Sequence, residues 1–231
     1  MVTSMNEHRL LLASQSPRRH ELLALLGLPF VVTTPDVPEV AWPDESPAEF
    51  VIRLSQAKAR AACSRQGQGK QVTSPSTVII ACDTVVALDG GLLGKPCGAT
   101  EATTMLRRLR ERASHTVYSA VTLLEPTTDH ALTDVAETQL AMRAYTDAEI
   151  AAYVASGDSL DKAGAYAIQH PGFHPVAKLE GCYANVMGLP LCHLTRCMRS
   201  LGIEPSRDVP TACQAHTGHH CPVYTAILNG E

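Results

Sequence analysis

No stretch of this 231-residue chain approaches the roughly 18 consecutive apolar residues that a membrane-spanning helix needs, so the sequence predicts no transmembrane span and no membrane partner. The N-terminus, MVTSMNEHRLLLAS, has only a short apolar run with Glu7 ahead of it, which does not make a secretory leader. Positive charge is also scarce. The 19 Lys and Arg stand against 23 Asp and Glu, leaving a formal net charge of −4. Duplex-binding proteins are usually basic, so a nucleic-acid polymer is a poor partner. A small anion stays open, because a local pocket can be positive on an acidic protein. Eight cysteines are present without any C-x-x-C pair. Cys63, Cys82, Cys97, Cys182, Cys192 and Cys197 read as small core residues kept reduced, consistent with a cytoplasmic protein.

What is there is an alternation of strand and helix signals. HRLLLAS (8–14) predicts a short buried strand. A helix follows from Pro17 to about Leu26, with Ser16 as N-cap and Gly27 and Pro29 as its stop. FVVTTPDVPE predicts a strand running into a Pro-broken loop. Ser46-Pro47-Ala48-Glu49 is a capping box, and Phe50, Val51, Leu54, Ala57 and Ala61 behind it mark a long amphipathic helix. The polar residues 64–76 predict a loop. Val78 to Leu88 predicts a strand, and Asp89-Gly90-Gly91 a hairpin turn. Further helices are predicted from about Thr100 to Arg112, from the second capping box at Thr146 and Glu149 to near Gly157, and from Leu189 to Leu201. HTVYSAVTLLE and the alternating DVAETQLAMR predict two more strands. SLDKAGAYAIQ predicts a small-residue loop entering a short strand. Beyond Pro205, Pro, Cys and His accumulate without periodicity. With no internal repeat and no linker, the length suits a single α/β domain over residues 1–204 and a Cys/His-rich tail over 205–231.

Several residues carry more chemistry than their setting requires. Arg18 and Arg19 fall in the first turn of the helix at 17–26, where partial positive charge and free N–H groups favour acids. With Ser14 and Ser16 they surround a strand-to-helix turn suited to phosphate, although both arginines could simply reach solvent. Asp83 interrupts the apolar run VIIACDTVVAL. A buried carboxylate costs several kcal/mol unless it is paired or metal-bound, which favours a functional acid over a structural one. Thr84 points to the opposite face of a regular strand. Lys95, in GLLGKP, is not a P-loop lysine: Gly90 lies one residue too close, and Pro96 stands where a hydroxyl is needed. Glu39 and Lys58 read by default as solvated surface groups. Asp161-Lys162-Ala163-Gly164-Ala165-Tyr166 reads by spacing as a tight loop with a surface ion pair. Gln169 could read a base edge. Cys213, His216, His219, His220 and Cys221 are zinc-ligand types, but their C-x-x-H-x-x-H-H-C spacing matches no standard site and no second cluster completes it, so they read as incidental composition.

Four co-ordered blocks, LLLASQSPRRHELLALLG, ACDTVVALDGGLLGKP, SLDKAGAYAIQ and GCYANVMGLPL, resemble the Maf family of nucleotide pyrophosphatases, as do the weaker PDVPE and RLSQAKA. The resemblance spans residues 9 to about 202. It implies an elongated mixed β-sheet flanked by helices, two lobes around a cleft, similar to the inosine-triphosphate pyrophosphatase fold, and often a homodimer. It implies cleavage of a nucleoside triphosphate between the α and β phosphates with Mg²⁺ or Mn²⁺. SPRR, the DT pair and DKAGAY-x-IQ resemble the dTTP/UTP branch, with departures at Ala167 and His170, where glycine is common. On this reading Ser14, Ser16, Arg18, Arg19, Lys58 and Lys95 face the triphosphate. Asp83 and Glu39 serve as catalytic acids and metal ligands, Lys95 assists them, Thr84 and Gln169 read the base, and Lys162 completes the wall. A nucleotide-binding regulator of cell division acting through a protein partner is the alternative, and a metal-binding adaptor built on the tail is a third.

Overall fold

Leu10 and Leu12 turn to one side of the first strand, Leu11 and Ala13 to the other, and all four are buried. An apolar run of this kind suits a strand covered on both faces. In the computed structural model, which describes residues 8–66 and 76–231, this strand is β1 (Arg9–Ala13). The chain continues through α1 (Pro17–Ala24), β2 (Phe30–Thr33), α2 (Pro47–Gln66), β3 (Thr77–Leu88), β4 (Gly91–Leu93), α3 (Ala99–Glu111), β5 (His115–Glu125) and β6 (His130–Met142). It then forms α4 (Asp147–Ala155), β7 (Val176–Glu180), α5 (Tyr183–Met187), α6 (Leu191–Ser200), α7 (Val209–Thr217) and α8 (Tyr224–Asn229). Of the predicted loop at 64–76, the first three residues finish α2 and positions 67–75 lie outside the described residues.

The strands make one mixed sheet in the order β2-β1-β3-β5-β6-β7, with β4 paired to β3. β1 runs parallel to β2 and β3, while β3, β5, β6 and β7 pair antiparallel. Helix α2 covers one face, where Val51 and Leu54 meet Val85 and Ala120, and Ala59 and Ala62 meet Leu11 and Ile79. Side chains of α1, α3, α4, α5 and α6 join the larger core on the other face. The mixed, helix-flanked sheet is the one that the resemblance implies. No helix among the described residues is long and apolar enough to cross a membrane.

One interruption in the pairing matters most. β1 accompanies β3 only as far as Ala13 opposite Ala81. β4 joins β3 only from Leu93 opposite Val86. The tight turn between them has Asp89 at φ 52° and Gly90 at φ 77°, the two left-handed positions that a type I′ hairpin needs. Between these pairings, residues 82–85 are bonded to β5 on one side and to no described strand on the other.

Three expectations need correction. No strand forms at the end of SLDKAGAYAIQ. Ala163–Ala165 form one distorted 3-10 turn, and the chain turns again at Ile168 and Gln169. The cause is close packing on β3: Gly164 sits at φ 68°, and a Cβ there would come within 2.9 Å of Val86 Cγ2. The buried stripe of α2 is Phe50, Val51, Leu54, Ser55, Lys58, Ala59 and Ala62; Phe50, Val51 and Leu54 are as expected, whereas Ala57 and Ala61 are only half-buried. The tail is helical. Asp208 accepts from the Thr211 N–H at the start of α7 (3.0 Å), Gly218 ends it at φ 64°, and Cys213 and Ile227 pack on the main core.

Candidate active site

A cleft of about 790 Å³ opens where β3 lacks a neighbour. Ser14, Ser16, Arg18, Arg19, Glu39, Lys58, Asp83, Thr84, Lys95, Lys162 and Gln169 all line it. The gap explains how Asp83 and Thr84, on opposite faces of one strand, both reach the same space: the open edge is accessible from above and below.

The start of α1 forms one wall. Ser16 occupies the N-cap position, but its side chain makes no capping bond, and the first turn contains no acid. The Ser14 hydroxyl orders the turn instead, accepting from the Ser16 N–H at 3.2 Å, while His20 Nε2 lies 2.9 Å from the Ser14 carbonyl oxygen. The positive end of the helix is thus left to an anion. Arg18 Nη1 donates to Asp161 Oδ2 at 3.2 Å. Arg19 donates from Nε to the Gly188 carbonyl (2.8 Å) and from Nη2 to Thr84 Oγ1 (3.1 Å). Those partners fix the guanidinium without neutralising it. Thr84 Oγ1 is held in turn by Ser119 Oγ at 2.8 Å.

On the other side of β3 the charges oppose one another. Asp83 is only 4% exposed, and Lys58 only 9%. Lys58 Nζ donates to Asp83 Oδ1 at 2.5 Å and to Glu39 Oε1 at 2.5 Å. Lys58 is therefore no solvated surface group, as its position by default suggests; it bridges two acids. Glu39 arrives on the irregular segment before α2. That segment is pinned by Arg53, which grips Glu45 through Nε (2.5 Å) and Nη2 (2.6 Å) and also donates to the Val40 carbonyl (3.0 Å). Burial pushes the Asp83 carboxyl upward, and Lys58 and Arg19 pull it back only in part, so it stays above the usual aspartate range. Burial also raises the Glu39 carboxyl, but Lys58, Lys95 and Arg19 together bring it below the usual range.

The remaining residues are less engaged with the centre. Lys162 is buried and held by its own loop: Nζ donates to the Asp158 carbonyl (2.5 Å), Asp158 Oδ1 (2.8 Å) and Asp161 Oδ1 (2.6 Å). The ion pair read from its spacing is present, but it closes the cleft wall rather than lying on the surface. Lys95 and Gln169 stand exposed at the rim. At the departure His170, Nδ1 accepts from the Gly172 and Phe173 N–H groups (3.2 and 2.9 Å) and so holds the following turn. The Gly188 carbonyl, Ser119 and Asp161 were missed as site residues. Of these, only Asp161 carried a signal, as the acid beside Lys162.

The donor set suits a hard divalent cation. Lys58 takes one oxygen from each acid, leaving Asp83 Oδ2 and Glu39 Oε2 without a protein partner among the described residues. Mg²⁺ is commonly held by one or two carboxylates together with substrate phosphates and water. Two acids and an uncapped helix start in one cleft offer such a set.

A family model described as Maf-like protein matches residues 9–201. A dTTP/UTP pyrophosphatase of Salinibacter ruber is 44% identical over 192 residues, covering 83% of this chain and 90% of that protein. A dTTP/UTP pyrophosphatase of Geobacter metallireducens is 40% identical over 194 residues, covering 84% and 96%. A solved nucleoside-triphosphatase/dITP/XTP pyrophosphatase from Mycobacterium abscessus overlaps 84% of this chain and 94% of its own at 17% identity. Its TM-score of 0.43 is too loose to carry weight.

Proposed function

The chain belongs to the Maf-like family, and on that premise we propose that it hydrolyses a pyrimidine nucleoside triphosphate, dTTP or UTP, to the monophosphate and pyrophosphate. The observation that carries the reading is the meeting, in one cleft, of the uncapped start of α1 with the chain Asp83–Lys58–Glu39.

In this reading the triphosphate lies along the start of α1. Backbone N–H groups, the Ser14 and Ser16 hydroxyls, Arg18 and Arg19 receive its oxygens, and Lys95 covers them from the rim. Phosphoryl chemistry asks mainly for positioning and charge neutralisation. Asp83 accepts a proton from a water whose oxygen bonds to the α-phosphorus. The bridging bond from the α-phosphorus to the oxygen shared with the β-phosphate breaks, and pyrophosphate leaves with that electron pair. Lys58 holds Asp83 in its ionised form despite burial and keeps Glu39 beside it. Asp83 and Glu39 also hold the divalent cation, Mg²⁺ or Mn²⁺, which when bound neutralises charge on the phosphate oxygens. Thr84 and Gln169 face the nucleoside, and Lys162 closes that wall.

The test is pyrophosphate release from a panel of standard and modified nucleoside triphosphates with Mg²⁺ or Mn²⁺. Pyrophosphate with matching monophosphate, strongest for dTTP or UTP, is the expected result. Nucleotide binding without turnover of any triphosphate would overturn it in favour of a nucleotide-responsive regulator. Homodimer formation and a cytoplasmic location belong to the same proposal, and sedimentation and cell fractionation test them.

A further inference from the structure

Two hydroxyls face each other across the sheet where the core is otherwise apolar. Thr84 of β3 and Ser119 of β5 are directly opposite in the strand register. On the same face Cys82 and Val86 flank Thr84, Val117 and Val121 flank Ser119, and all four belong to the larger core. Ser119 is 0% exposed. A hydroxyl in such a place must be hydrogen-bonded, a demand that an alanine or valine would not make. We propose that Ser119 is a positioning residue for phosphate binding: it orients the Thr84 hydroxyl so that an oxygen lone pair faces Arg19. The inference rests on the reading of Arg19 as a triphosphate ligand.

The ends of the hydrogen-bond chain set its direction. The Asn185 carbonyl can only accept, so the Ser119 hydroxyl, 3.3 Å away, donates to it. Ser119 Oγ is then free to accept from Thr84 Oγ1 at 2.8 Å. The other acceptor near Thr84 is the Gly188 carbonyl at 3.4 Å, which already accepts from Arg19 Nε (2.8 Å) and Cys82 Sγ (3.1 Å). With its hydrogen directed to Ser119, Thr84 Oγ1 accepts from Arg19 Nη2 at 3.1 Å, an atom that can only donate. Both terminal carbonyls belong to α5 and the glycine that ends it. The buried Asn185 side chain ties that turn to the sheet, its Nδ2 donating to the Val117 carbonyl (3.0 Å) and to Thr138 Oγ1 (2.9 Å). Arg19 is thus held at Nε and Nη2, while Nη1 has no hydrogen-bond partner among the described residues. Without the Ser119 hydroxyl, Thr84 would turn its hydrogen to the Gly188 carbonyl and compete with Arg19 Nε for it. Both anchors of the guanidinium would loosen together.

The test is calorimetric titration of the full chain with inorganic tripolyphosphate in the absence of divalent metal, a probe that carries no base and is not turned over. Ser119→Ala should weaken binding by about 2- to 10-fold, the worth of one hydrogen bond. The Thr84→Val/Ser119→Ala double variant should bind as Thr84→Val alone does, because Ser119 acts through Thr84. With dTTP and Mg²⁺, Ser119→Ala should raise KM by the same factor and keep kcat. Ser55→Ala is the control: it loses a buried 2.7 Å contact with Thr122 outside the cleft, and should lower the melting temperature without changing tripolyphosphate affinity. Unchanged affinity in Ser119→Ala overturns the proposal, as do losses that add in the double variant, or a wild type that binds no tripolyphosphate. If wild type binds tripolyphosphate and the variants behave as expected but dTTP is not turned over, the hydrolase reading fails and the role of Ser119 stands.

Discussion

The two sides of β3 at the cleft handle charge in opposite ways. Beneath the strand, Asp83 and Glu39 share one ammonium, and charge is met by charge. Above it, the hydrogen-bond partners of Arg19 are a backbone carbonyl and a hydroxyl, and the carboxylates act on it only from a distance. In the carboxylate–lysine chain the ammonium opposes the upward push of burial on Asp83, and each acid keeps one oxygen free of Lys58. A guanidinium whose hydrogen-bond partners are neutral is open to an anion. On the proposed reading one strand would separate proton and metal chemistry from phosphate binding, and the lack of a described strand beside residues 82–85 opens both sides to one space.

If this division holds, the largest effect comes from the lower side. Asp83→Asn keeps the shape and leaves Lys58 with Glu39, so the fold and nucleotide binding persist. The rate falls by roughly 100- to 10,000-fold, the range expected for a lost general base. Steady-state kinetics, calorimetric nucleotide binding and a melting curve check this together, and an unfolded variant would make Asp83 structural. Lys58→Met comes next. Removing the ammonium raises the Asp83 carboxyl further, so more of it is protonated at neutral pH. The acid limb of the pH–rate profile moves to higher pH, and an unmoved limb would break the assignment of Lys58 as the group that keeps Asp83 ionised.

The upper side should answer in binding. Arg19→Ala raises KM by about 10- to 100-fold, the worth of a charge-assisted hydrogen bond, with the smaller change in kcat. Thr84→Val removes one of two Arg19 anchors, and KM should rise by only about 2- to 10-fold. If Thr84→Val costs as much as Arg19→Ala, the Thr84 hydroxyl contributes more than its anchoring of Arg19.

A stability measurement separates both from the floor beneath them. His115 is buried, its Nε2 2.8 Å from the Tyr166 hydroxyl, and burial lowers its pKa from 6.5 to about 4. The unfolded chain therefore binds the proton more readily between these values, and stability falls as pH drops from 6.5 towards 4. His115→Phe should flatten that part of the melting-temperature profile while kcat at neutral pH is kept.

Much of this arrangement is legible in the sequence. Asp83 stands out because it interrupts an apolar run, and the arginines because they occupy an acid's place. The two capping boxes form as their residues dictate. Lys58 is the instructive case: it lies four residues after Leu54 and four before Ala62, so its spacing puts it on the buried face of α2, its charge by default favours solvent, and only the resemblance brings it to the site. β7 and α5 are short and owe their form to the sheet edge and to Gly188, which local pattern does not encode.

The most direct measurement is product analysis after turnover of dTTP with Mg²⁺ in water enriched in heavy oxygen. The account predicts dTMP carrying the label and unlabelled pyrophosphate, formed roughly 100- to 10,000-fold more slowly by Asp83→Asn. Labelled inorganic phosphate with dTDP, or bound nucleotide without products in the wild type, would contradict it.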